Sequence, residues 1–245
     1  MRQQTADSRR YYVLVLTNII TLIFLMTIAL HYKIPQKVLA KLGFTISGIY
    51  VNDVSLYDIK NDLFLVYNES GYEIVMLGDS ITEGVSWNEL LGINNIANRG
   101  IGGDFTDGFI NRLTGIYKLR PEMCFIMGGI NDLHHGITVE KILVNFERMI
   151  ESMELHGITV IIQSTLYVSK ERPKWEIINR SVNELNNGLQ EICIRNDLLY
   201  LDVNNVVMDD GALNKKYTYD GIHLNGNGYN KWKELILTIL GNRNI

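Results

Sequence analysis

Residues 74–84 read IVMLGDSITEG. Four apolar residues run without a polar interruption, Gly78 follows, and Asp79-Ser80 then bring a carboxyl and a hydroxyl side by side. An unbroken apolar run of this length reads as a strand buried on both faces, and the abrupt change to small and polar residues marks where it leaves the sheet. A hydroxyl at that point stands at a strand end, beside the core and not within it.

The same rhythm continues along the chain from residue 72. Apolar runs predict strands at 73–78, 94–98, 122–128, 158–163 and 198–202, with helices near 84–92, 106–118, 138–156, 174–196 and 226–240 between and after them. ITVEKILVNFERMIESMEL, residues 137–155, spaces its apolar residues three and four apart as one helix face requires, with Thr138 as a polar start. Alternating strands and helices predict the α/β class: a three-layer α/β/α sandwich around a mostly parallel sheet of about five strands. Ligands of such sheets collect in the crevice beyond the carboxyl ends of the strands, so the residues just after each strand are the functional candidates.

Composition narrows the field. The 245 residues are 47% hydrophobic and 20% charged with a net charge of −4, and no Lys/Arg run is interleaved with aromatics, which argues against a nucleic-acid partner. Cys124 and Cys193 lie in the apolar settings MCFIM and LQEICIRN and read as separate buried thiols. Residues 11–30, YYVLVLTNIITLIFLMTIAL, carry no charge and would reach about 30 Å as a helix, enough to cross a bilayer. The expected organisation is a short tail over 1–10, a transmembrane anchor over 11–31, a juxtamembrane connector over 32–70 and a globular domain over 71–245. Arg9-Arg10 ahead of the span tips the N-terminus toward the cytoplasm and the body to the other side, and a cleaved signal with a secreted body is the alternative. Within the connector, DIKNDLFLVYN (58–68) reads as a helix.

Two further strand ends and the loop before the terminal helix carry candidates. NRGIGGDFTDG (98–108) is a glycine-dense loop entering a helix, FIMGGIND (125–132) brings Asn131 to the rim, and YTYDGIHLNGNGY (217–229) sets Asp220 three residues before His223. If that last turn is helical, the two side chains share a face and the carboxylate can orient the imidazole. Of the five histidines, only His223 has a carboxylate at that offset in a glycine-rich loop before a terminal helix.

Taken in order, Gly78-Asp79-Ser80, Gly103, Asn131 and Asp220-x-x-His223 resemble the four motif blocks of the SGNH or GDSL hydrolases. NRGIGGD, GGIND and DGIHLN are similar to the platelet-activating-factor-acetylhydrolase-like branch of that family. The likeness spans residues 73–240 and implies a flavodoxin-like fold with Ser80 as nucleophile, His223 as general base and Asp220 as the residue that orients it. It also implies an oxyanion hole built from the Ser80 and Gly103 N–H groups and the Asn131 amide. Gly103 is preferred to Gly100 and Gly102 because the family's oxyanion glycine directly precedes an acidic residue, here Asp104.

The implied activity is a serine esterase that releases a short acyl group such as acetate from a carbohydrate or lipid through an acyl-enzyme. A lysophospholipase or thioesterase on longer chains, an O-acyltransferase to polysaccharide and a non-catalytic binding module are the alternatives. The segment lacks the second glycine of the G-x-S-x-G elbow, which argues against an α/β-hydrolase. Asp132, His134 and His135 lack metal-site spacing, so neither a metal nor another cofactor is expected. Trp87 reads either as an acyl-pocket wall or as core, and Asn68-Glu69-Ser70 and Asn179-Arg180-Ser181 are sequons. Oligomeric state is not encoded in any motif.

Overall fold

A computed structural model describes residues 17–19, 21, 24, 25, 56–67 and 71–241. Two compact units divide the chain, Met1–Asp53 and Val54–Ile245. In the first, the described residues are helical, and the Thr21 hydroxyl donates to the Thr17 carbonyl at 2.8 Å. No helix among the described residues is long and apolar enough to cross a membrane. This finding overturns the transmembrane anchor expected over residues 11–31, and the single-pass placement built on it falls with it. A span requires ~20 residues in one unbroken helix, and hydropathy reports apolar composition without reporting that continuity. Within 11–31 only Thr17, Asn18, Ile19, Thr21, Phe24 and Leu25 are described, and the rest of that reading lies outside the described residues.

The second unit holds the sheet. Strands β1 (Ile74–Gly78), β2 (Ile96–Gly100), β3 (Met123–Met127), β4 (Thr159–Gln163) and β5 (Leu199–Leu201) correspond to the five expected runs, β2 lying two residues later than expected over 94–98. All pair in parallel, in the order β2-β1-β3-β4-β5. Every residue of β1 and β3 is buried, which is why their sequences show no polar alternation.

Successive side chains point to opposite faces. Ile74 and Met76 join Phe125, Ile161, Trp232 and Ile236 in one core, while Val75 and Leu77 join Phe109, Cys124, Ile126, Phe146 and Leu185 in the other. Helices α3 (Trp87–Leu91), α9 (Asn204–Val207) and α10 (Gly226–Gly241) cover the first face, and α4 (Thr106–Asn111), α5 (Leu113–Leu119), α7 (Val139–Glu154) and α8 (Trp175–Arg195) the second. This is the expected three-layer sandwich. Helix α7 shows the cause: Ile142, Phe146, Met149 and Met153 are fully buried, each adding about 1.5–3 kcal/mol over exposure. Thr138 caps it by accepting the Lys141 N–H at 3.4 Å. The two cysteines are separate buried free thiols in the second core.

The chain leaves β1 for β2 on one side and then crosses back to β3 on the other. Connections after β1 and β3 therefore diverge, and a crevice opens beyond Gly78 and Met127, which pair across the two strands. Helix α1 (Leu56–Val66) lies outside this pattern and packs at the β2 edge, with Phe64 under the Arg99 guanidinium at 4.7 Å.

Candidate active site

Ser80 owes its position to a tight strand-to-helix turn. A Cβ on Gly78 would fall 2.0 Å from the Thr82 hydroxyl and 2.7 Å from the Met127 carbonyl oxygen, so only glycine lets the turn close. Asp79 caps the following short helix α2 (Ser80–Glu83), its Oδ1 accepting the Ile81 N–H at 2.9 Å. Ser80 is thereby the first helical residue, half-buried at the carboxyl end of β1. The helix is held from behind, where the Tyr229 hydroxyl donates to the Ile81 carbonyl at 2.7 Å and the Trp87 indole N–H to the Thr82 carbonyl at 2.9 Å. Trp87 is buried and meets Trp232 edge-on at 4.8 Å, which makes it core and not pocket wall.

His223 reaches this serine from 143 residues away, its Nε2 lying 2.8 Å from Ser80 Oγ. On the other side of the ring, Nδ1 is 2.6 Å from Asp220 Oδ2. The Asp220–His223 turn is not helical. It is a bend closed by the Thr218–Leu224 bridge, in which Gly221 adopts a φ of 86°. Asp220 Oδ1 accepts the Ile222 and His223 N–H groups at 2.9 and 2.8 Å, and these bonds replace the helical geometry that the three-residue spacing suggests. Partial burial works against ionisation of Asp220, yet hydrogen bonds from the His223 ring and from the His223 and Ile222 amides outweigh it and hold the carboxyl below its ordinary range. The Thr218 hydroxyl completes the loop by donating to the His223 carbonyl at 2.6 Å and accepting the Gly221 N–H at 2.9 Å.

The glycine loop and the third strand end meet as well. Gly103 has a φ of 74°, and a Cβ there would touch nothing within 4 Å, so its left-handed backbone faces open space. Asn131 sits near the start of a short helix α6 (Ile130–His134) capped by the left-handed Gly129, and its amide donates to the Asp104 carbonyl at 2.9 Å. One of its two N–H groups thus anchors it to the residue after Gly103.

A buried cation that the sequence reading did not single out organises these loops. Arg112 Nε donates to Asp104 Oδ2 at 2.9 Å, and its other nitrogens donate to the Arg99 carbonyl at 2.6 Å and the Gly78 carbonyl at 3.0 Å. One guanidinium therefore joins the ends of β1 and β2 to the Gly103–Asp104 loop. Its eight-residue offset from Asp104 matches no local pattern, so no sequence signal pointed to it. Burial pushes the Asp104 carboxyl up to about 6 against the pull of Arg112. Burial likewise raises Asp79 to about 7, with His223 opposing and Asp104 and Asp132 adding to the rise.

Asp132, His134 and His135 diverge. Asp132 is buried and accepts the Thr106 hydroxyl at 2.6 Å, while His135 Nδ1 lies 2.9 Å from the Asn131 carbonyl. Among the described residues no group of three metal-ligating side chains converges. Asn179 of the second sequon is buried, its amide bonded to Val168 and Gly211, whereas Asn68 lies outside the described residues.

Known proteins give this geometry a context. The family model described as GDSL-like Lipase/Acylhydrolase family matches residues 76–231. An N-acylneuraminate cytidylyltransferase of Streptococcus agalactiae is 27% identical over 158 residues, which cover 64% of this chain and 36% of that protein. The chain thus matches little more than a third of the length of that relative. The human platelet-activating factor acetylhydrolase IB subunit alpha1 is 27% identical over 165 residues, 64% of this chain and 70% of that protein. Among solved structures, the lipase/acylhydrolase from Enterococcus faecalis is similar with a TM-score of 0.59 and 27% identity, covering 70% of this chain and 96% of that one.

Proposed function

The chain belongs to the GDSL-like lipase/acylhydrolase family and is a hydrolase of the esterase type, and from that premise we propose that Ser80, His223 and Asp220 cleave a carboxylic ester through an acyl-enzyme. In this reading Ser80 Oγ attacks the ester carbonyl while His223 Nε2 takes its proton, and Asp220 keeps the ring proton on Nδ1 and stabilises the imidazolium. The oxyanion accepts hydrogen bonds from the Ser80 and Gly103 N–H groups and from the Asn131 N–H that is not bound to Asp104. Each such donor contributes on the order of 3 kcal/mol to the transition state. Collapse expels the alcohol, which receives the proton from His223. Water, activated by the same imidazole, then releases the acid and restores Ser80.

The observation that carries the reading is the pair of contacts on one imidazole, 2.8 Å to Ser80 Oγ and 2.6 Å to Asp220 Oδ2. A short acyl group such as acetate, borne by a carbohydrate or a lipid, is the proposed substrate class, in keeping with the acetylhydrolase among the relatives. A series of 4-nitrophenyl esters of increasing chain length tests both parts. We expect the highest kcat/KM on the acetate, a fall of at least about a thousandfold in kcat for Ser80→Ala and for His223→Ala, and fluorophosphonate labelling that Ser80→Ala abolishes. Wild-type turnover by either variant would refute the assigned roles, and a preference for long chains would refute the acyl class.

A further inference from the structure

Beside the loop that carries His223 stands a cation that no carboxylate among the described residues pairs with. Arg172 lies in the connection between β4 and α8, which docks on the catalytic loop through the Ser169 N–H, donated to the Gly221 carbonyl at 2.9 Å. The Arg172 stem lies across Gly221, where an added Cβ would meet its Cγ and Cδ at 2.9 Å. Gly221 directly follows Asp220, and its left-handed backbone turns the chain toward His223. On α6, burial first, then the charges of Arg172 and His135, hold the His134 imidazole below its ordinary range.

The two charges just before it in the chain are paired. Lys170 pairs with Asp210 at 2.5 Å and Glu171 with Lys215 at 2.6 Å, but no carboxylate among the described residues pairs with Arg172, which is half-buried. A planar guanidinium with no carboxylate partner among the described residues, on a stem packed against the His223 loop, is suited to a bidentate carboxylate or phosphate. Its location also fixes the side of the substrate it meets. His223 returns its proton to the departing oxygen, so the alcohol leaves on the His223 side, where the Arg172 stem lies.

We propose that Arg172 is a specificity-determining residue that binds an anionic group, carboxylate or phosphate, on the alcohol portion of the ester. The inference rests on the esterase reading above, and its test separates the two. Three acetyl esters share one scissile bond and differ in the group across the ring: methyl 4-acetoxybenzoate is neutral there, 4-acetoxybenzoate carries a carboxylate and 4-acetoxyphenyl phosphate a phosphate. Their kcat/KM values are normalised to the alkaline hydrolysis rate of each ester. We expect an anionic ester to exceed the neutral one by about tenfold or more, with the gain in KM, and the better of the two anions names the class. About 0.5 M salt should shrink the ratio, Arg172→Ala should bring it near one, and Arg172→Lys should keep part of it.

A wild-type ratio near one for both anions overturns the proposal without recourse to any variant, and so does a ratio in folded Arg172→Ala equal to that of the wild type. Ser80-dependent turnover of the neutral ester alongside either result leaves the esterase reading intact. Absence of Ser80-dependent turnover of all three esters defeats that reading and this inference together.

Discussion

Next to the serine hydroxyl, Asp79 is a carboxyl whose burial conflicts with its charge. One oxygen caps α2 through the Ile81 amide, and the other has no hydrogen-bond partner among the described residues. Its folded value, pushed up from 3.8 to about 7, lies above that of an unfolded chain, so the native state holds the proton more tightly. The associated stability is fully present below about pH 4 and is lost as pH rises through about 7, with Asp104 contributing in the same direction. Asp79→Asn keeps the cap acceptor and removes the titration. Urea unfolding at pH 5 and pH 8 should therefore show a smaller difference for the variant than for the wild type, and an equal difference would place the titration elsewhere. Ser80 and His223 were legible in sequence because each sits where an apolar run or a glycine loop yields to polar residues. Arg112 and Tyr229 were not, since their partners Asp104, Gly78 and Ile81 are set only by tertiary packing.

Helix α1 shows the same divide one level up. Its existence was readable from DIKNDLFLVYN, but the contacts that matter were not. The Tyr57 hydroxyl donates to the Gly108 carbonyl at 3.0 Å, Lys60 pairs with Glu83 of α2 at 2.8 Å and Phe64 stacks on Arg99. This helix lies ahead of the matched family segment, yet it touches both the helix that begins at Ser80 and the one that follows the Gly103–Asp104 loop. Burial, followed by the Asp104 charge, raises the Tyr57 phenol and keeps it a donor. Tyr57→Phe should lower stability by about 0.5–1.5 kcal/mol in urea titrations, and amide exchange across residues 103–108 should accelerate. Unchanged exchange there would mean that α1 covers the loop without bracing it. The Asp220–His223 turn carries the opposite lesson: the spacing marked the pair but left its conformation open, because a side-chain cap and a left-handed glycine can bring the same two groups together without a helix.

For the Val54–Ile245 unit as a whole, the architecture was legible because central parallel strands have no solvent face, and their unbroken apolar runs are a direct consequence of that burial. The spanning helix was misread because uncharged composition alone does not establish an uninterrupted helix. Since the candidate site draws on the ends of β1, β2 and β3 and on the loop before α10, no part of it survives on a fragment of the sheet. Loss of esterase activity and loss of far-UV helical signal should therefore coincide in urea, and activity disappearing well before the helices would reveal an independently yielding loop. The separation of Ser80 and His223 has a consequence during synthesis. On the proposed mechanism, the hydroxyl leaves the ribosome 143 residues ahead of the imidazole that activates it, a lag on the order of ten seconds at ~5–20 residues per second. On that mechanism a nascent chain is inert toward the esters around it until the segment that carries His223 has emerged, and any product truncated before that point is released as a silent protein.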